Sequence, residues 1–382
     1  MTITLTKEMQ QMKEMIRNFV EREVEPFAIQ IEEEDAIPEH LVEKAKDLGL
    51  FGISIPEQYG GIGLNSVGKA TVLEQLGRTH NGFVSLISAH TGIGSTGLVK
   101  LASEHLKNKY LPEMAAGKKI GALSLSEPGA GSDATNLATS AEKKGDYWVM
   151  NGTKHFITNG PIADVYTVFA LTDKDKGAKG GITAFLVERD FPGLTVGKKD
   201  KKMGLRGSYT SQVIFEDCII PEENVIGEVG MGYISALKIL AEGRIGLAAR
   251  AVGSSGKLIE LSAKYAKERI QFGKPIADNQ AIQWMLADMA TETEAARALT
   301  MMAAQKIDEG KKVIKEASMA KLFASDVFNR VADKAVQIHG GMGYMAEYPV
   351  ERFYRDARIT KIYEGTNEIQ RLIIARNILE EC

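Results

Sequence analysis

Residues 355–371 read RDARITKIYEGTNEIQR, and an acid, Glu364, ends an apolar run that contains Ile362 and Tyr363. Two readings of that acid stand side by side. Thr366 or Asn367 can cap a following helix, with Gln370 three residues after Asn367 as in a capping box, which leaves Glu364 a solvated loop acid. Alternatively Glu364 is a general base in a dry cleft, and Gly365 lets a ligand approach the backbone.

Four other segments could carry chemistry. SLSEPGAGSDA (124–134) holds Gly129-x-Gly131-x-x-Ala134, formally a dinucleotide fingerprint. The polar stretch after it is cut by Gly145 and leads into strands, not into the helix of a βαβ unit, so a nicotinamide site is rejected. What survives is a glycine-rich loop able to approach a phosphate or a flat ring, or a plain turn. KHFITNG (154–160) sets Phe156 and Thr158 two apart on a strand, an aromatic beside a hydroxyl donor or simply core. ERIQFGKPI (268–276) closes a long helix with Arg269, which can fork onto a phosphate or offset the helix dipole. AVQIHGGMGYMAEYP (335–349) breaks helical sequence at Gly340 and Gly341, by a close backbone approach or an ordinary turn.

These segments need a scaffold, and 382 residues suggest two or three domains. Hydrophobic residues at 44% and charged residues at 25% are ordinary for a globular protein. A net charge of −3 gives no support for nucleic acid or an anionic membrane. Cys218 and Cys382 make no disulfide framework, and neither they nor the six histidines show metal-ligand spacing, so no metal is expected. The mixed acids and bases of the first thirty residues fit no targeting peptide, and no apolar run is long enough for a membrane span; a cytoplasmic protein is expected. Met9, Met12, Ile16, Phe19, Val20 and Val24 recur at helical spacing, and PEHLVEKAKDLG ends at a capping Gly49. Strand-like runs begin near residue 120. In YWVMNGTKHFIT, Asn151-Gly152 predicts a hairpin turn between two strands. Helical patterns return over 231–266, 279–309 and 313–338. The reading is α+β: an N-terminal helical domain (1–119), a middle β domain (120–230) and a C-terminal helical domain (231–382).

Taken in order, SEPGAGSD, KHFITNG, ERIQFGKPI, QIHGGMGY and RDARITKIYEGTNEIQR resemble the acyl-CoA dehydrogenase family along essentially the whole chain. The resemblance implies a β-barrel or sandwich middle domain, a C-terminal four-helix bundle, and FAD held between them. It places Glu364 at the family's catalytic-base position. Around the flavin it puts Leu123, Leu125, Ser126, Gly131, Ser132, Phe156 and Thr158, completed by Thr366 and Glu368. Arg269, Gln271, Phe272 and Gln280 would reach the pyrophosphate and adenine end, and Gln337, Gly340 and Gly341 would come from a neighbouring subunit of a homo-oligomer, expected as a tetramer. For the CoA ester it implies Ser132, Glu242, Gly243, Arg244, Tyr363, Gly365 and Arg376, with Glu242 about 100° around the helix from position 243.

Some relatives carry the base at the position of Gly243, and glycine there with Glu364 resembles short-chain, butyryl-type bacterial members. The implied reaction is α,β-dehydrogenation of a short- to medium-chain acyl-CoA to the trans-2-enoyl-CoA, as in fatty-acid β-oxidation, with electrons passed to electron-transferring flavoprotein. Rival expectations on the same scaffold are an acyl-CoA oxidase and a non-catalytic flavin or CoA-ester binder.

Overall fold

The computed structural model describes residues 5–381, so Cys382 lies outside the described residues. In the N-terminal part, α1 (Lys7–Phe19) buries Ile16 and Phe19, and its start is capped by the Thr6 hydroxyl accepting from the Met9 N–H. α2 (Glu39–Asp47) stops just before Gly49, which takes φ +69°. α3 (Ser66–Leu76), α4 (Asn81–Ala89) and α5 (Glu104–Ala115) follow, with a π turn, His90–Gly94, directly after α4.

The middle part is one connected sheet of eight strands: β1 (Gly121–Ser124), β2 (Ser140–Lys144), β3 (Tyr147–Thr158), β4 (Val165–Leu171), β5 (Ile182–Glu188), β6 (Leu194–Val196), β7 (Thr210–Pro221) and β8 (Val225–Ile226). The hydrogen-bonded path runs β6-β7-β3-β2-β4-β5-β8, and β1 pairs in parallel with β4. Trp148, Met150, Tyr166, Phe185 and Phe215 fill one of its cores.

The expected hairpin at Asn151-Gly152 is corrected. β3 is one continuous strand through both residues, and Gly152 lies at a register shift against β7 with φ +145°. The cause is β7, twelve residues long, which pairs along both halves of β3 and leaves the glycine to absorb a bulge. The real turn is Gly145-Asp146, joining Lys144 to Tyr147, with Gly145 at φ +66°.

The C-terminal part is helical: α6 (Gly232–Glu268), α7 (Gln280–Asp308), α8 (Ile314–His339), α9 (Pro349–Ile359) and α10 (Asn367–Glu381). A small ribbon, β9 (Ile270–Gln271) with β10 (Lys274–Pro275), follows α6. α6 packs on α3 and α8, and the approach to α3 is close: a Cβ at Gly253 would fall 1.8 Å from the Glu74 carbonyl oxygen. That contact sets α6 beside the N-terminal helices. Among the described residues no helix is long and apolar enough to cross a membrane, and no cluster of three metal-ligating side chains occurs.

Candidate active site

α9 ends at Ile359, and the loop back into α10 carries Tyr363, Glu364 and Gly365. Glu364 takes φ +54° and Gly365 φ +89°, two left-handed residues in succession. For a residue with a Cβ this backbone costs about 1–2 kcal/mol, so surrounding contacts must hold it. They do. Arg244 Nε donates to the Glu364 carbonyl at 3.3 Å, Lys321 Nζ to the Gly365 carbonyl at 2.8 Å, and Gln370 Nε2 to the carbonyls of both, at 3.3 and 2.9 Å. Thr366 is the cap of α10, accepting from the Ile369 N–H at 3.3 Å. Gln370 therefore serves the loop rather than closing a capping box.

The strained turn aims the Glu364 side chain at a cavity of about 40 Å³ between α3, the turn His90–Gly94 and α6. The side chain is 13% exposed, and Oε2 has no hydrogen-bond partner among the described residues. Burial raises its pKa above the ordinary carboxylate value, and Arg250, Arg244 and Lys321 oppose that rise without cancelling it. The Glu364 N–H also meets no described acceptor. Gly243 lies opposite: a Cβ there would sit 2.5 Å from Glu364 Oε2. Ile53, Leu73, Ile245 and Ile307 supply apolar wall. Glu242 lines the same cavity, but its carboxylate is taken by Lys69 at 3.1 Å and by Lys100.

Glu364, Gly365, Thr366, Tyr363, Gly243 and Arg244 thus come together, whereas Arg376 is exposed on α10 with no described partner. A second cluster forms in the sheet. The His155 N–H donates to the Ser126 carbonyl at 2.8 Å, joining the glycine-rich loop to the Phe156 strand. Phe156 has φ +58° at a second bulge of β3, so simple alternation does not place it; it is 66% exposed and stacks on His155. The loop is anchored by a buried ion pair that sequence reading missed: Lys154 Nζ lies 2.7 Å from Glu127 Oε1, and Glu127 also accepts from the N–H groups of Ala138 and Thr139. A third group (Arg269, Gln271, Phe272, Gln280, Gln337, Gly340 and Gly341) is exposed on the C-terminal helical part. Phe272 has φ +51° and is fully exposed.

Several residues fit a flat, phosphate-bearing cofactor. A Cβ at Gly129, Gly131 or Gly341 would meet nothing within 4 Å, and none of the three has positive φ, so the chain alone does not need glycine there. Ser124 Oγ nearby is buried without a partner.

Family models match in three consecutive pieces: acyl-CoA dehydrogenase N-terminal domain over 6–118, middle domain over 122–218 and C-terminal domain over 230–379. The chain belongs to the acyl-CoA dehydrogenase family. It is an oxidoreductase of that family. An acyl-CoA dehydrogenase of Bacillus subtilis is 48% identical, covering 98% of this chain and 99% of the relative. An acryloyl-CoA reductase (NADH) of Anaerotignum propionicum is 44% identical over 100% of this chain and 96% of its own. The solved butyryl-CoA dehydrogenase of Megasphaera elsdenii superposes with TM-score 0.96 at 41% identity, covering 99% and 100% of the two chains. An acyl-CoA dehydrogenase of Bacillus anthracis complexed with FAD superposes with TM-score 0.91 at 39% identity, covering 99% of this chain and 68% of its own, and an FAD complex of PigA superposes with TM-score 0.96 at 31% identity over the whole of both chains.

Sequence reading named neither Arg250 nor Lys321, and it gave Gln370 only a capping role. Lys321 had a signal, a lone lysine on the face of α8 that also carries Ala317, Ala324 and Phe328, all buried.

Proposed function

We propose that the chain is an FAD-dependent acyl-CoA dehydrogenase that converts a short- to medium-chain acyl-CoA to the trans-2-enoyl-CoA and passes the electrons to electron-transferring flavoprotein. One observation carries the reading: Glu364, its pKa raised, presents a carboxylate oxygen with no partner among the described residues to a partly enclosed cavity from a strained turn. The α C–H of a thioester is a weak acid, so the site must both strengthen the base and stabilise the enolate oxygen. Burial does the first. The Glu364 N–H, which meets no acceptor among the described residues, would do the second. Arg244, Lys321 and Gln370 fix the turn so that base and donor keep their spacing.

FAD, when bound, supplies acceptance of the hydride from Cβ. Leu123, Leu125, Ser126, Gly131, Ser132, Phe156, Thr158, Thr366 and Glu368 would hold it from this subunit. Arg269, Gln271, Phe272, Gln280, Gln337, Gly340 and Gly341 would hold its phosphates and adenine across a homo-oligomer, which accounts for exposed Phe272, Trp284 and Tyr344. The isoleucine-lined cavity supports a short acyl group, Ser132 and Arg376 would meet the CoA ester, and reduction of an enoyl-CoA would reuse Glu364 as proton donor.

The test is anaerobic bleaching of the flavin by a panel of straight and branched acyl-CoAs. Wild type should bleach best with short or medium straight chains, and Glu364→Gln should slow bleaching by about 10²- to 10⁴-fold while FAD stays bound. An FAD-loaded enzyme that no acyl-CoA reduces would overturn the proposal. Reoxidation should be fast with electron-transferring flavoprotein and slow with oxygen; peroxide formed at the rate of turnover would point to an oxidase.

A further inference from the structure

A second charge shares the cavity with the base. Arg250 is 93% buried (7% exposed), lines the cavity, and holds Nη2 4.0 Å from Glu364 Oε1. Its Nε–H has no acceptor among the described residues. Arg250 follows Gly243 by seven residues on α6, so the two share a helix face. Gly246 lies between them and adds no side chain, and a long helical side chain leans toward the N-terminus, back toward Gly243.

We propose that Arg250 is a positioning residue that keeps the Glu364 carboxylate ionised and aimed into the cavity before the acyl group arrives. The inference rests on the reading of Glu364 as the base. The distance is what suits the role. At 4.0 Å the guanidinium is outside hydrogen-bond range, so it favours the carboxylate by charge without occupying the lone pair that must take the proton. A bidentate pair would hold the same carboxylate too firmly for a base.

The other cations around Glu364 favour the carboxylate as well, but each is bonded elsewhere. Arg244, also on α6, donates to the Glu364 carbonyl and to Ser318 Oγ. Lys321 on α8 is bonded to the Gly365 carbonyl and Asn367 Oδ1, and burial lowers its pKa to about 8, so its charge fades in mild alkali. From α3, Lys69 is paired with Glu242, whose second partner is Lys100. Tyr363 on the same loop faces Arg250, and burial raises its pKa, which keeps the phenol neutral. Asp356 on α9 is also pushed up by burial. Arg250 is the permanent cation that looks at the carboxylate itself.

The sign follows directly. Without Arg250 the Glu364 pKa rises further, and the ionised fraction is lost at a higher pH. The experiment is the pH dependence of flavin reduction at saturating acyl-CoA and at limiting acyl-CoA, in FAD-loaded wild type, Arg250→Gln and Arg250→Lys. In Arg250→Gln the acid limb of the limiting-substrate profile should move up by on the order of one to three pH units. The plateau above the limb should fall as well, because the ionised carboxylate loses the charge that aims it, and Arg250→Lys should return most of both changes. The alkaline change from Lys321 should be common to all three. An unmoved acid limb would overturn the inference, as would a changed preference among acyl-CoAs with polar tails at constant limb, since Arg250 would then be a substrate contact. If Arg250→Gln does not load FAD, Arg250→Lys and Arg250→Met carry the comparison by the same limb. Glu364→Gln separates the two levels: normal reduction in that variant defeats the base assignment itself, whereas slow reduction with an unmoved limb in Arg250→Gln defeats only this inference.

Discussion

Gly243 and Glu364, 121 positions apart in the chain, face each other so closely that a Cβ at 243 would stand 2.5 Å from Glu364 Oε2 and 2.9 Å from Ile93 Cγ2. A glycine in a helix interior costs about 1 kcal/mol relative to alanine, and here the carboxylate opposite explains it. Gly243→Glu alone should therefore be poorly active, with two carboxylates competing for one space. In Glu364→Gly, which should be nearly inactive, adding Gly243→Glu should restore part of the flavin reduction. The rate should stay below wild type because Ile93 must yield and a base loses efficiency with small errors of position. A folded, FAD-loaded double variant no faster than Glu364→Gly would show that a base at 243 does not reach the substrate.

The left-handed backbone at Glu364 makes a separate prediction about stability. Glu364→Gly removes both the strain of φ +54° and a buried, unpartnered carboxylate oxygen. Extra freedom of glycine in the unfolded chain offsets this by about 0.4–1 kcal/mol. Measured against Glu364→Ala, which loses the same carboxylate and leaves the same cations unpaired, the net should be a gain of up to about 1 kcal/mol, seen as a higher Tm at matched FAD loading. An unchanged or lower Tm would mean that the turn is not strained in solution.

How far the sequence reached can be argued from the same residues. Glu364 stood out because it lies in one of the segments whose order along the chain is informative, whereas Gly243 and Arg244 lie outside those segments and came only from the resemblance they carry. The helix spans of the C-terminal part were legible from period alone, to within two residues for α6, α7 and α8. Asn151-Gly152 was misread because a turn dipeptide and a bulge dipeptide look alike until the length of β7 opposite is known. Arg250 was invisible for a related reason: nothing local marks an arginine that reaches a loop 114 residues away, whereas Gln370 was noticed but given a capping role in place of its bonds to the loop. Backbone strain marks some of the same residues independently. Phe156, Phe272 and Glu364 are all non-glycine residues with positive φ, and all three fall in segments read as chemistry-bearing.

Lys154 and Glu127 are both essentially buried, and burial lowers the Lys154 pKa while the lysine and backbone donors hold Glu127 below its ordinary value. Breaking such a pair leaves one uncompensated charge, so Lys154→Met should cost about 3–5 kcal/mol in urea unfolding. Adding Glu127→Gln should recover a good part of that, because the neutral amide can still accept from Ala138 or Thr139. The glycine-rich loop should loosen with the pair, and FAD retention in gel filtration should fall in the single variant more than in the double. Additive losses in the two variants would show that the charges do not act as a pair.

Phe272 offers the sharpest test of assembly. In the single chain it is fully exposed and left-handed, so it contributes no packing and carries a backbone cost. Its neighbour Arg269 is also exposed and has no described partner. Both features make sense if a second subunit and its cofactor cover the ribbon formed by β9 and β10. Burying one phenylalanine contributes about 1.5–3 kcal/mol, and a charge-assisted phosphate contact a similar amount. Phe272→Gly should then leave the isolated subunit as stable or slightly more so, while weakening subunit association by roughly tenfold or more per interface. Arg269→Ala should leave association of the FAD-saturated enzyme nearly intact but make it depend on added FAD. Sedimentation at falling protein concentration, with and without excess FAD, distinguishes the two. If both variants stay assembled and yellow at the lowest concentration measured, the ribbon is a free surface and the shared site must be redrawn without it.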